Sequence, residues 1–213
     1  MQTTVLSAAD PAAIPQALAV LQQGGLVAFP TDTVYGLAAA TYSRAAVERL
    51  FEAKTREAAK AIAVLVGQIE HLRQLTPGMP EAARILAERF WPGALTLVVP
   101  KSPKLPENLS PYPTIGVRMP DHAFAVALLR RVGPLATTSA NLSGQANPLT
   151  AQDVLDQLGG RIDLILDGGP CPGGKPSTVV DCTQEPPVVL REGAISPVEI
   201  HAALHPTGPV AAA

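Results

Sequence analysis

Leu26-Val-Ala-Phe29, followed at once by Pro30-Thr31-Asp32-Thr33-Val34-Tyr35-Gly36-Leu37, decides how this chain reads. Leu26 to Phe29 is an apolar run too short for a helix and is read as a buried strand. A dense polar turn comes directly after it. Upstream, Ile14, Leu18 and Leu21 recur at helical spacing, and Gly24-Gly25 end that helix. Downstream, Ser43 is the expected N-cap of a helix whose apolar face is Ala46, Val47, Leu50 and Phe51. The period therefore switches from helix to strand and back within forty residues, the mark of an α/β chain.

The alternation continues outward. Strands are expected at Ile62 to Val66, Ala94 to Val99, Thr114 to Val117 and Leu135 to Thr138. Helices are expected at Glu81 to Phe90 behind Pro80, after Asp121 with Phe124, Leu128 and Leu129, and from the Thr150-Ala-Gln-Asp153 capping box to Leu158. Leu164 to Leu166, Thr178 to Cys182 and Val188 to Leu190 are three further strands, and Pro197 opens a last helix. Proline-rich Lys101 to Tyr112 is a long loop. Some late strands lack crossover helices, so the sheet must be mixed. No linker divides the chain: one domain over 1–205 is expected, with 206–213 a frayed tail.

Composition excludes several classes. The 213 residues carry 16 basic and 18 acidic side chains, a net charge of −2, which leaves no basic face for tight, sequence-independent nucleic-acid binding. The N-terminus lacks the basic and apolar regions of a signal peptide. No apolar run approaches the roughly 20 residues that span a bilayer. Cys171 and Cys182 show no metal-ligand spacing with His71, His122, His201 or His205. The chain reads as cytoplasmic, without membrane contact or a protein-bound metal.

Four polar segments follow predicted elements. Thr31-Asp32-Thr33 offers two hydroxyls and a carboxylate for a small polar substrate, or simply a hydroxyl-rich turn. Lys54-Thr55-Arg56 ends a helix, and its cations could clamp a polyphosphate or sit solvated at the helix C-terminus. Arg118 leaves a strand toward Pro120, placed for a carboxylate or for a structural ion pair. Thr137-Thr-Ser139-Ala-Asn141-Leu-Ser143-Gly144 could donate to phosphate or nucleobase, or form an Asx or Ser turn. There is no P-loop, no G-x-G-x-x-G after a strand and no G-x-S-x-G elbow.

Together the segments say more than any one of them. Phe29 to Leu37 (F-P-T-D-T-V-Y-G-L), Lys54 to Arg56 (K-T-R), Trp91 to Thr96 (W-P-G-A-L-T) and Val117 to Pro120 (V-R-M-P) come in that order. Ser139 to Gly144 (S-A-N-L-S-G), Pro176 to Asp181 (P-S-T-V-V-D) and Leu190 to Gly193 (L-R-E-G) follow. In wording and order the chain resembles the YrdC-like family of threonylcarbamoyl-AMP synthases, over roughly Gly24 to Leu204.

The resemblance implies a fold and a reaction. The fold would be a twisted mixed α/β sheet with flanking helices around a deep cavity. The reaction would be a nucleotidyl transfer in which L-threonine, bicarbonate or CO2 and ATP give threonylcarbamoyl-AMP and diphosphate. Partner proteins would then pass the threonylcarbamoyl group to the tRNA adenosine beside the anticodon, tRNA itself being bound weakly if at all. By the same resemblance Thr31, Thr33, Arg118, Thr137 and Ser177 would hold threonine. Lys54 and Arg56 would hold the ATP phosphates as the catalytic cations, and Thr114, Ser139, Asn141, Asn147 and Arg191 would complete the ATP site. Mg2+ would arrive with ATP.

The chain departs from the family after K-T-R, where Glu57 and Ala61-Ile62 stand in place of the usual proline and Pro-Leu pair. Its length resembles the short form, without the extra C-terminal domain of some relatives. Two rival readings are an RNA-binding protein of tRNA or rRNA maturation and a catalytically weak regulator binding nucleotide or amino acid.

Overall fold

Strands and helices are interleaved in the computed structural model, which describes residues 2–55, 60–173 and 175–205. The order begins β1 (Thr4–Ser7), α1 (Ala13–Gln22), β2 (Val27–Phe29), β3 (Gly36–Ala40), α2 (Arg44–Lys54) and β4 (Ala63–Leu65). It continues α3 (Leu72–Leu75), α4 (Glu81–Phe90), β5 (Leu95–Pro100), β6 (Thr114–Arg118), α5 (Ala123–Val132) and β7 (Leu135–Ser139). It ends α6 (Ala151–Leu158), β8 (Leu164–Asp167), β9 (Thr178–Asp181), β10 (Val188–Arg191) and α7 (Pro197–Leu204).

The described strands form one mixed sheet, in the order β1-β8-β2-β3-β7-β4-β6-β5-β9-β10. β1 and β2 flank β8 in parallel, and β4–β6 and β5–β9 are also parallel pairs. The remaining neighbours run antiparallel.

Period-2 alternation divides each central strand between two apolar layers. Val27, Phe29, Ala38, Leu65, Leu135, Leu164 and Leu166 pack with α1 and α5 on one face. Ala28, Leu37, Ala39, Val64, Ala136 and Ile165 face the other way, against α2, α4 and α6. The first layer covers the sheet from β1 as far as Leu65 at the end of β4. Beyond it, on the same face, β6, β5 and β9 carry Thr114, Gly116, Arg118, Thr96, Val98 and Val179. That uncovered half becomes the cavity described below.

Two strands were absent from the sequence reading. β1 is a short, mostly exposed edge strand. β3 is Gly-Leu-Ala-Ala-Ala, a composition with little strand preference, and burial between β2 and β7 overrides that preference. The cap of α5 also differs: His122 Nδ1, not Asp121, accepts from the Ala125 N–H. The proline-rich loop contains a single 3-10 turn at Glu107–Leu109. The capping box at Thr150–Asp153 is formed as expected, and a second one, at Ser196–Glu199, precedes the helix that Pro197 opens. Gly24, in the left-handed region at φ 74°, follows α1 as the spacing predicts. Arg56, Glu57 and the expected tail at 206–213 lie outside the described residues.

Candidate active site

A cavity of about 450 Å3 opens over β4, β6, β5 and β9. Its floor follows from strand alternation. Thr114, Gly116 and Arg118 of β6, Thr96 and Val98 of β5, Ala63 and Leu65 of β4, and Thr137 and Ser139 of β7 all line it. Their neighbours Leu95, Leu97, Ile115, Val117 and Ala136 point into the core behind. Gly116 keeps the floor open, since a Cβ there would lie 3.1 Å from Thr96 Cγ2 and 3.5 Å from Ala63 Cβ.

Nine residues named from the sequence share this one cavity: Thr31, Thr33, Thr114, Arg118, Thr137, Ser139, Asn147, Ser177 and Arg191. They come from three strands and three loops far apart in sequence. The polar turn after β2 supplies the first two. Thr31 Oγ1 donates to Val34 O at 2.6 Å and accepts from the N–H groups of Thr33 and Val34, at 3.2 and 3.3 Å. Tyr35 laces this turn to the segment after β7: its N–H donates to Pro148 O and its carbonyl accepts from Ala140 N. The Tyr35 hydroxyl donates to Gly169 O at 2.8 Å, and burial raises its pKa well above the phenol range.

Arg118 is the buried cation of the floor. Its Nε donates to Gly93 O at 3.0 Å, Nη1 to Thr33 Oγ1 at 3.2 Å and Nη2 to Asp32 Oδ1 at 2.6 Å. The ion pair is nearly dry, with side-chain exposures of 8% for Arg118 and 13% for Asp32. Arg191, the last residue of β10, reaches back to Ser177, donating to its carbonyl from Nε and Nη2 and to its Oγ from Nη2. Partial burial, and then the charge of Arg118, hold the Arg191 guanidinium below its usual value. Ser177 Oγ and Thr96 Oγ1 share a hydrogen bond of 2.9 Å. Thr137, which lines the cavity, donates its Oγ1 hydroxyl to Leu135 O, and the oxygen keeps its capacity to accept.

Two named residues are not on the cavity wall. Lys54, the last residue of α2, is 1% exposed, and its Nζ donates to the carbonyls of Ser139 and Asn141. The Asn141 amide accepts from Lys54 at 3.4 Å and donates to Leu142 O and Gln145 O. Ser143 N closes the connection by donating to Lys54 O at 3.0 Å. The helix C-terminus, whose carbonyl ends and dipole favour a cation, is thus stapled to the Ser139–Ser143 turn by a buried ammonium. Thr55 follows in the left-handed region at φ 51° and turns the chain out of the helix. The solvated-lysine alternative for this position is thereby overturned.

Sequence reasoning missed Asp32 as the ion-pair partner of Arg118, and it missed Thr96 and Gly116 as floor residues. All three sit inside motifs already singled out. The signal for Thr96 and Gly116 was alternation within Leu95-Thr-Leu-Val and Thr114-Ile-Gly-Val-Arg, where a polar or small residue takes every second place. Cys171 and Cys182 are free and buried, and burial raises both thiols, Cys182 to about 12. Among the described residues no group of three or more His, Cys, Asp or Glu side chains is arranged to hold a metal ion. Nor is any described helix long and apolar enough to cross a membrane.

Comparison with known proteins bears on this arrangement. The family model Sua5_yciO_yrdC, "Telomere recombination", matches residues 19–193. The threonylcarbamoyl-AMP synthase of Bacillus subtilis is 45% identical over 207 residues, covering 96% of this chain and 60% of that protein. The putative threonylcarbamoyl-AMP synthase of Mycobacterium tuberculosis H37Rv is 42% identical, covering 91% of this chain and 92% of that one. The crystal structure of Pyrococcus abyssi Sua5 complexed with L-threonine superposes with a TM-score of 0.87 at 43% identity, covering 90% of this chain and 57% of that one. The chain thus spans somewhat over half the length of the Bacillus and Pyrococcus proteins. With the family match running from α1 to the end of β10 and the fold shared throughout, this chain belongs to the Sua5/YciO/YrdC family.

Proposed function

We propose that this chain is a nucleotidyltransferase that forms L-threonylcarbamoyl-AMP and diphosphate from L-threonine, bicarbonate or CO2 and ATP. The observation that carries the reading is Arg118. Three of its five N–H donors are engaged by Gly93, Thr33 and Asp32, which leaves two on the terminal nitrogens at the cavity floor for a substrate carboxylate. The threonine-bound Pyrococcus relative supports the choice of amino acid.

The chemistry fits the residues around Arg118. Threonine's amine attacks the carbon of CO2 or bicarbonate, forming the carbamate N–C bond and losing a proton; if bicarbonate is the donor its C–O bond breaks and the departing hydroxide takes that proton away as water. A carbamate oxygen then attacks the α-phosphorus of ATP, and the bond to the leaving diphosphate breaks. Thr31, Thr33, Thr137 and Ser177 hold the threonine beside Arg118. Thr114, Ser139, Asn147 and Arg191 take the nucleotide. Charge develops on phosphoryl oxygens, so fixed donors and cations do more than a strong base would. Lys54 contributes from beneath the Ser139–Asn141 turn, whose conformation it sets together with the Asn141 amide. Arg56, by its place in the K-T-R motif, supplies a cation to the ATP phosphates. Magnesium enters as part of the ATP substrate. The carbamate is labile, so its formation and adenylation within one recessed cavity shorten its exposure to water.

The product would serve tRNA threonylcarbamoylation through transfer proteins, in the cytoplasm. Diphosphate release with ATP, magnesium and bicarbonate, with and without threonine, tests the reading. Threonine-dependent release is expected. Release that ignores threonine, or none at all, would sink it and favour a nucleotide- or amino-acid-binding regulator.

A further inference from the structure

The Asp32–Arg118 pair is more than a neutralising contact. We infer that Asp32 is the positioning residue that fixes the Arg118 guanidinium plane, so that its two unengaged N–H groups meet an amino-acid carboxylate as a fork. This rests on the proposed reading of Arg118 as the carboxylate-binding residue.

The geometry supports the assignment in three ways. An arginine side chain rotates about several bonds, and one bond from Nε to Gly93 O would leave the plane free to swing. A second bond from Nη1 to Thr33 Oγ1, at 3.2 Å, is long. The 2.6 Å bond from Nη2 to Asp32 Oδ1 is the shortest of the three, and with the other two it fixes the guanidinium at all three nitrogens. Asp32 itself is well placed to stay still. It lies within the tight Thr31–Val34 turn, whose backbone N–H groups are drawn onto Thr31 Oγ1. Asp32 does not line the cavity, so it acts through Arg118 rather than on the substrate.

A role through geometry and a role through charge predict opposite orders for two conservative variants. Asp32→Asn keeps an acceptor oxygen at the same place and removes the charge. Asp32→Glu keeps the charge and displaces the carboxylate by one methylene. Positioning predicts that D32N binds threonine within about 3-fold of the wild type, or tighter, because the unneutralised guanidinium attracts the substrate carboxylate more strongly. It predicts that D32E weakens threonine at least about 10-fold, since a fork misplaced by an ångström loses one of its two bonds. Asp32→Ala should do the same or worse. ATP affinity should change by less than about 3-fold in all three, which a merely structural loss would not permit.

The test is calorimetric titration of threonine and of Mg-ATP, separately, into wild type and the three variants, with thermal melts alongside. D32E alone decides the matter if D32A does not fold. The inference is overturned if D32E binds threonine as the wild type does, if D32N loses as much as D32E, or if both ligands weaken together. A wild-type chain that binds no threonine overturns the reading of Arg118 instead, and this inference falls with it.

Discussion

Replacing Lys54 by methionine separates a buried staple from a direct phosphate ligand. Met matches the length of the lysine stem and fills the same channel without a donor. What is lost is the ammonium that satisfies two backbone carbonyls, of Ser139 and Asn141, and touches the Asn141 side-chain oxygen. The surroundings are 1% exposed at Lys54 and 5% at Asn141, so water does not readily replace it. Each acceptor left unsatisfied costs about 1–3 kcal/mol. The set should therefore cost about 3–5 kcal/mol, the range for breaking a buried charged interaction. In a domain of this size that lowers Tm by about 6–20 °C. The Ser139–Ser143 turn should loosen with it, and Ser139 and Asn147 with the turn, so threonine-dependent diphosphate release should fall at least about 100-fold. Urea unfolding and the diphosphate assay, run on the same preparation, check both halves. A variant that melts within about 2 °C of the wild type while its turnover disappears would refute the reasoning, because the ammonium would then be acting on phosphate and not on the turn.

Arg118→Ala should weaken threonine about 10- to 150-fold while ATP binding changes far less, because a charged hydrogen bond to a carboxylate contributes roughly 1.5–3 kcal/mol; calorimetry showing equal losses would move Arg118 to the nucleotide. Threonine should be preferred over serine modestly and over valine by up to about 10⁴-fold, because the buried Thr137 hydroxyl, engaged only by its donation to Leu135 O, keeps acceptor capacity that a substrate hydroxyl fills and an apolar analogue does not. Competition assays placing valine level with threonine would remove that role from Thr137. Cys171 and Cys182 should resist iodoacetamide at neutral pH until the chain is unfolded, since burial raises both thiols and hides them; rapid labelling of either in the native protein would contradict the packing.

What could be read in advance, and what could not, follows from the range of the interactions involved. Helix starts were legible where caps are local: Ser43 accepts from Ala46 N, and Thr150 completes a capping box with Asp153. Buried strands with strong apolar runs were legible for the same reason. β3 was not, because nothing within Gly36–Ala40 favours a strand, and its place is set by partners at Val27–Phe29 and Leu135–Ser139. The site divides along the same line. That Thr31, Arg118, Ser139 and Ser177 belong to one pocket was implied by family wording, but their individual roles depend on contacts across the fold. Asp32 lies 86 positions from Arg118, and Lys54 lies 85 from Ser139. A carboxylate between two threonines reads as a turn until the arginine that needs it is brought alongside. A lysine at a helix end reads as solvated until the loop that covers it is in place. Both corrections point the same way. Two of the most conspicuous charges in the motifs act on the protein's own backbone and side chains, so that the residues facing the cavity are held still when substrate arrives. Preorganisation of that kind leaves no local sequence pattern, because the group that positions and the group positioned meet only in the folded chain.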